Sequence, residues 1–392
     1  MLETLLNRSW AEVDLDAVAA NARAIRACVR RGAEVMGVVK ADAYGHGVDE
    51  VVPVLLANGV SRLAVSMLDE ALQLRRKGIE APVLVLGYTD PRRADEILRH
   101  RVTQTVFSLD LAQALSDAAV RQDAEARVHV KVDTGMGRVG FQAGFDAVKS
   151  VLAISALPRM VVEGLYTHFA SADEEDPAFT LAQFERFRGI ASELGRIGIH
   201  VPLQHACNSA ALARFPSMHL DLVRPGLALY GLAPKGCPGF GPGGLALSPA
   251  MSLKSNLVLV KDVEPGTSVS YGRRFVAARP TRIGTIPIGY ADGYTRALGG
   301  VADVLVRGRR APVVGRVCMD TCMTDLTDFP EPPETGDEVV LFGRQGSQSI
   351  SADEIADLTG TISYEVVCLV GKRVPRAYFQ DGTLKCIRSQ LV

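Results

Sequence analysis

A closed (β/α)8 barrel of the TIM type, followed by a mainly β C-terminal domain, is the fold class that the sequence predicts. Two observations point to it. Between residues 33 and 231, short apolar runs alternate about eight times with amphipathic helical stretches. Beyond 231 this alternation stops, and short, β-branched, closely spaced runs take over.

The barrel strands are expected at 33–39, 62–66, 83–87, 103–107, 126–132, 160–167, 203–207 and 221–230. Several are almost continuously apolar, such as Pro82-Val83-Leu84-Val85-Leu86, as strands covered on both faces must be. Helical periodicity fills the intervals, most clearly at 67–77, 109–121 and 178–197. Residues 234–249 (APKGCPGFGPGGLALS) are rich in Gly and Pro and predict a linker. The domains are therefore placed at 13–240 and 241–392. In the second, strands are expected at 257–263, 282–288, 302–306, 313–317 and 338–342. The one clear helix lies at 351–359, where Ser351 caps and Glu354 follows at capping-box spacing.

The 392 residues suffice for two domains with a sizeable core. Lys and Arg number 43 against 44 Asp and Glu, so no charge excess suggests nucleic acid or an anionic membrane as partner. A small-molecule substrate is expected instead. The start MLETLLNRSW has no basic segment leading into a long apolar run, and no apolar stretch is long enough to span a bilayer. The seven cysteines (Cys28, Cys207, Cys237, Cys318, Cys322, Cys368, Cys386) are scattered and form no C-x-x-C pair. That usage fits reduced thiols in a cytoplasm, and Cys318 with Cys322 reads as core packing rather than a metal site.

A barrel carries its chemistry just after its strands, at their carboxyl ends. Lys40 follows the first run in VVKADAYGHG, where emergence from a buried strand would lower its pKa, as a Schiff-base lysine requires. Taken singly it is also an ordinary strand-end lysine. Arg138 lies among three glycines in KVDTGMGRVG, placed to clamp a carboxylate or to sit solvated on a turn. His168 follows the sixth run, with a structural role as its plain alternative. Asn208 and Ser209 follow the seventh and can donate to phosphate, and Ser209 can instead, or as well, cap the next helix. Arg224 interrupts the apolar eighth run beside Pro225 and Gly226, and a charge there needs a partner. Together these residues describe a site for a phosphorylated aldehyde cofactor and an amino acid.

The motifs WAEVDLDAVAAN (10–21), VVKADAYGHG, KVDTGMGRVG, YTHFASAD, CNSAA and RPGLALYG resemble those of the alanine racemase family. The resemblance continues through MSLKS, VSYGRRF, IPIGYADGY, GRVCMD and ISYEVVC, and so covers nearly the whole chain. It implies pyridoxal 5'-phosphate (PLP) as cofactor and a two-base interconversion of L-alanine and D-alanine through a carbanion. Lys40 would hold PLP and move the proton on the D-alanine side, and Tyr271 would serve L-alanine from the second subunit of a homodimer with shared sites. Tyr44, Asn208, Ser209, Gly226, Leu227 and Tyr364 would surround the cofactor. Arg224 would face the pyridine nitrogen, with His168 behind it. Arg138, the Met319 backbone, Tyr290 and Asp320 would contact substrate, and Lys131 matches a lysine that many family members carbamylate. Residues 1–12 would join the β domain as a strand.

Other readings remain open at this point: a serine or broader-specificity racemase, a PLP-dependent amino-acid decarboxylase, and a non-catalytic PLP-binding protein. Arg224 in place of an acid speaks against the decarboxylase. Tyr271 and the second domain speak against the carrier. Sequence leaves undecided whether D-alanine is made for peptidoglycan precursors or L-alanine is fed to catabolism.

Overall fold

A computed structural model describes residues 8–241 and 243–391. The chain divides into two compact units. One comprises residues 18–43 and 48–248, and the other residues 8–17, 44–47 and 249–391.

In the first unit the strands are β2 (Glu34–Val38), β3 (Arg62–Val65), β4 (Val83–Val85), β5 (Thr103–Val106), β6 (Ala126–Asp133), β8 (Met160–Tyr166), β9 (Leu203–His205) and β10 (Leu222–Val223). A short β7 (Phe141–Gln142) pairs with the end of β6. β1 (Ser9–Asp14) belongs to the other unit. All neighbours pair in parallel, in the order β10-β2-β3-β4-β5-β6-β8-β9. Two backbone bonds close the ring between β9 and β10: Asp221 N donates to Gln204 O at 3.1 Å and Arg224 N to Cys207 O at 3.0 Å. This is the expected (β/α)8 barrel. Val83, Leu84 and Val85 are essentially without solvent exposure, because helices cover one face and the barrel core the other.

The helices expected at 67–77, 109–121 and 178–197 run Leu68–Arg76, Leu109–Arg121 and Ala178–Arg196. The eighth run differs from expectation. The expected strand extends to 230, but β10 ends at Val223 and Leu227–Tyr230 forms a 3-10 turn. Pro225 has no N–H for a strand ladder, and Gly226 takes φ −117°, ψ −92°, outside strand geometry. The chain turns there instead of continuing.

The second unit is mainly β, as expected. Its strands are β1, β11 (Met251–Asn256), β12 (Leu259–Val263), β13 (Ser268–Val269), β14 (Phe275–Val276), β15 (Thr281–Ile286), β16 (Asp303–Val306), β17 (Arg309–Val314), β18 (Cys322–Asp325), β19 (Glu338–Gln345), β20 (Gln348–Ile350), β21 (Arg376–Gln380) and β22 (Thr383–Arg388). The main sheet runs β12-β15-β18-β17-β16-β19-β11-β1-β21-β22. β1 pairs antiparallel with β11 and parallel with β21, and Trp10 packs on Ala377 and Ile387. Of the strand expected over 1–12, residues 1–7 lie outside the described residues. Helix Ala352–Thr359 is capped by Ser351, whose Oγ accepts from Glu354 N at 3.0 Å. A second helix, Ser363–Leu369, follows it, where sequence periodicity showed only one. At seven residues it is too short to display a repeating apolar face.

Candidate active site

Lys40 comes two residues after β2 and opens a turn of unusual hand. Ala41, Asp42, Ala43 and Tyr44 all have φ between 53° and 55°, and Ala43 N donates to Val39 O at 3.0 Å. Left-handed helical geometry costs about 1–2 kcal/mol per L-residue, and none of these four is glycine. Carboxylates stabilise the turn from both sides. Glu70 accepts from Ala41 N at 2.6 Å, from Ser66 N at 2.7 Å and from Met67 N at 3.2 Å. Asp42 accepts from Val48 N at 2.8 Å. Strain of this kind collects where a side chain must be aimed, and it aims Lys40. Nothing in the residue types of VVKADAYGHG signalled it.

The other barrel residues converge with Lys40 on His168. Burial, then Arg224, Arg138, Lys131 and Lys40 in turn, hold the His168 imidazole well below its usual pKa. Four basic side chains thus act on one neutral ring, and Arg224 touches it. The nearby carboxylate, Asp133, is engaged by the amides of Gly135, Met136 and Gly137 at 2.9, 2.9 and 3.1 Å. Arg138 is exposed and makes no hydrogen bond or ion pair among the described residues. Lys131 is buried, with Nζ on Val132 O at 2.9 Å; burial and then Arg224 push its amine down to about 7.

Arg224 is the centre of the group. Nη1 donates to His205 Nδ1 at 2.7 Å; Nη2 donates to Thr167 O at 2.8 Å and Ala206 O at 3.1 Å, with His168 Nδ1 at 3.3 Å. No carboxylate pairs with it among the described residues, and burial lowers its pKa to about 10. The Tyr166 ring supplies aromatic electron density instead. Arg224 lies 5.1 Å and Lys131 5.6 Å from its centroid, and His205 stacks on it at 4.7 Å.

Sequence reasoning missed Tyr166 and His205, although Tyr166 opens the motif YTHFASAD and His205 lies in the strand expected at 203–207. The expected partner of Arg224 was His168, but His205 is the nearer at 2.7 Å. The signal was positional: His205 ends β9, where an inward side chain meets the start of the next strand's loop.

Asn208 caps helix Ser209–Arg214 by accepting from Ala211 N at 2.9 Å, so the cap alternative weighed for Ser209 falls to its neighbour. Ser209 Oγ accepts from Gly226 N at 3.0 Å and Ala228 N at 3.4 Å, tying the turns after β9 and β10 together beside Leu227.

In the β unit, Tyr44 and Tyr364 rings lie 6.4 Å apart, and burial followed by Tyr364 raises the Tyr44 pKa. Tyr290 and Met319 are cross-tied: Tyr290 N donates to Cys318 O and Ala291 N to Met319 O, both at 3.1 Å. Gly289 is required there, since a Cβ would lie 2.4 Å from Met319 O. Asp320 pairs with Arg373 at 2.7 Å. Tyr271 is 69% exposed, on a turn where Ser270 and Arg273 have φ of 67° and 48°.

Two family models match the chain: the alanine racemase N-terminal domain over residues 13–234 and the alanine racemase C-terminal domain over 250–378. Alanine racemase 1 of Clostridium acetobutylicum is 46% identical over 380 residues, 97% of each chain. The solved alanine racemase of Clostridium difficile superimposes with TM-score 0.93 at 39% identity, covering 98% of this chain and 99% of that one. That of Bacillus anthracis, solved with bound L-Ala-P, has TM-score 0.91 at 37% identity and covers 98% of each. With both domain models matched in order and the barrel mouth built as described, the chain belongs to the alanine racemase family.

Proposed function

We propose that this protein is an isomerase that interconverts L-alanine and D-alanine with PLP. The observation that carries the reading is the set of four basic side chains near His168, two of them arginines, with Asp133 already engaged. A phosphorylated cofactor and a carboxylate substrate would bring the missing negative charge, so the residues present fit that group. Lys40 would hold it, Ser209 and the turn at Gly226 and Leu227 would receive its phosphate near Asn208, and Arg224 would meet its ring nitrogen. When bound, PLP withdraws electrons from the substrate's α-carbon and makes the α-proton removable.

The chain's own residues do the rest. Lys40 accepts or returns a proton on one face of the α-carbon, and Tyr271 of the partner subunit does so on the other. Two bases on opposite faces are what inversion requires. Arg138, without an ion pair of its own, clamps the substrate carboxylate. Tyr44, Tyr364, Tyr290, Met319 and Asp320 enter through the resemblance alone. Incubating the protein and PLP with L-alanine should drift toward equal enantiomers on chiral chromatography; L-alanine left unchanged would defeat the reading. A homodimer, residence in the cytoplasm and supply of D-alanine to peptidoglycan precursors are parts of the same proposal, the second supported by seven free thiols.

Arg224 sets the reaction type. A guanidinium has no proton to give at neutral pH, so Arg224 would leave the cofactor's ring nitrogen unprotonated and a weaker electron sink. Arg224→Glu should therefore increase transamination, read as pyruvate released from alanine, by at least about tenfold relative to racemisation. No increase would remove that role.

Lys131 has an amine largely deprotonated above pH 7. Its Nζ can form a bond to the carbon of carbon dioxide, releasing a proton to solvent and leaving a carbamate anion. That converts a neutral amine, which below pH 7 would be a cation repelling Arg138, into an anion that holds it. The sign follows from linkage. Between pH about 7 and 10.5 the unfolded chain holds more protons at this lysine, so the unmodified amine costs stability increasingly as pH falls to 7. Carbamylation removes that cost. Carbon-13 spectra in labelled bicarbonate should show a carbamate resonance that is absent from Lys131→Ala.

A further inference from the structure

Behind Arg224, a line of side chains crosses the barrel interior and plays no part in the reaction just described. His205 Nδ1 lies 2.7 Å from Arg224 Nη1, His205 Nε2 lies 2.8 Å from His129 Nδ1, and His129 Nε2 lies 3.3 Å from Glu163 Oε2. The other Glu163 oxygen accepts from Arg62 Nη1 at 3.2 Å, and Arg62 Nε donates to Glu34 at 3.0 Å. Glu34 and Arg62 are the first residues of β2 and β3, so the line begins at the amino ends of the strands and ends at the mouth. Both imidazoles are at most 1% exposed. Gly164 makes room for one of them: a Cβ there would lie 2.4 Å from His129 Nδ1.

Hydrogen-bond chemistry gives the line a single direction. A guanidinium only donates and a carboxylate only accepts. His205 must therefore accept at Nδ1 and carry its proton on Nε2. His129 must accept that proton's bond at Nδ1 and donate from Nε2 to Glu163. A second proton on either ring would set two donors face to face, so both rings are neutral and the His129–Glu163 contact is not an ion pair. Burial lowers the pKa of both imidazoles, and the His129 bond holds the Glu163 carboxyl down at about 2.

We infer that Glu163 is a positioning residue for Arg224, acting through His129 and His205 by fixing the tautomer of each ring. This deepens the proposed function and rests on it only for the role of Arg224; the tautomers follow from the contacts alone. Arg224 is a buried cation with no carboxylate of its own among the described residues. Glu163 is the anion that answers it from three hydrogen bonds away. It leaves Arg224 charged, orients its guanidinium, and presents it with a lone pair rather than an N–H.

Glu163→Gln tests this because an amide has one oxygen for two donors. If that oxygen keeps Arg62, the NH2 faces His129, both rings invert, and His205 turns an N–H toward Arg224. If the oxygen keeps His129, the amide meets Arg62 donor to donor. The measurement is the nitrogen-15 solid-state spectrum of histidine-labelled holoenzyme at neutral pH, assigned with His129→Gln and His205→Gln. In the unaltered protein both rings should be neutral with the proton on Nε2. Glu163→Gln should move protons onto Nδ1 and lower kcat by about 10–100-fold with KM changing less, the range typical of residues that orient an active group. Glu163→Asp should restore both. A charged ring or an Nδ1 proton in the unaltered protein would overturn the relay. Protons moved without a loss of kcat, or kcat lost without moved protons, in Glu163→Gln would overturn the role of Glu163, as would an unchanged kcat in Glu163→Leu, whose side chain can accept from neither His129 nor Arg62. The failure of alanine racemisation in the unaltered protein, by contrast, would defeat the proposed function while leaving the spectra as they are.

Discussion

Lys40→Ala is expected to lower kcat/KM for alanine racemisation by at least about 10^4-fold, because one side chain both anchors the cofactor and carries a proton. The loss must be equal in both directions, since enantiomers have an equilibrium constant of one and the two kcat/KM values are tied by it. Four consecutive left-handed residues, at about 1–2 kcal/mol each, follow this lysine. A fold retains such a turn only where its surroundings hold it, and Glu70 and Asp42 do so through backbone amides. Chiral chromatography on variant and parent decides the matter, with circular dichroism showing that the barrel persists. Activity within about tenfold of the parent would take Lys40 out of the chemistry, because a single proton carrier alone contributes about 10²–10⁴-fold.

The barrel was legible because burial on both faces writes itself as continuous apolar runs, and Val83–Val85 is such a run. Strand ends were less legible. The run 221–230 turns apolar again after Arg224, Pro225 and Gly226, since the turn Leu227–Tyr230 is as buried as a strand and hydropathy alone cannot separate them. Mouth residues could be picked one at a time from their place after strands. Their relations could not: that His205 lies nearer Arg224 than His168, and that Tyr166 underlies two cations, depends on which way side chains point within the ring. His129 and Glu163 were invisible as a pair, being 34 residues apart on β6 and β8 and joined only by the parallel register of those strands. The left-handed turn at Ala41–Tyr44 was invisible for another reason. Alanine and tyrosine carry no propensity for it, and long-range bonds to Glu70 impose it.

Tyr271→Phe is expected to lower racemisation by about 10²–10⁴-fold, the contribution of one general base, while leaving the fold intact. The loss should be selective in a second measurement. With Lys40 still in place on the D side, D-alanine should go on exchanging its α-hydrogen with deuterated solvent without inverting. Tyr271 is 69% exposed on a turn strained at Ser270 and Arg273, and Ser270 Oγ pins that turn to Arg316 O at 2.7 Å. An exposed base of this kind is accessible to a substrate held by another molecule, as the proposed shared site requires. Mixing Lys40→Ala and Tyr271→Phe subunits tests it directly. With two-fold symmetry, random pairing makes half the dimers hybrid, and each hybrid would hold one site with both lesions and one with neither. About a quarter of parental activity should then return from two inactive proteins. If each site used its own chain's tyrosine, every hybrid site would carry one lesion and no activity would appear. Recovery near a quarter thus fixes the tyrosine in trans, and recovery of none returns it to its own subunit.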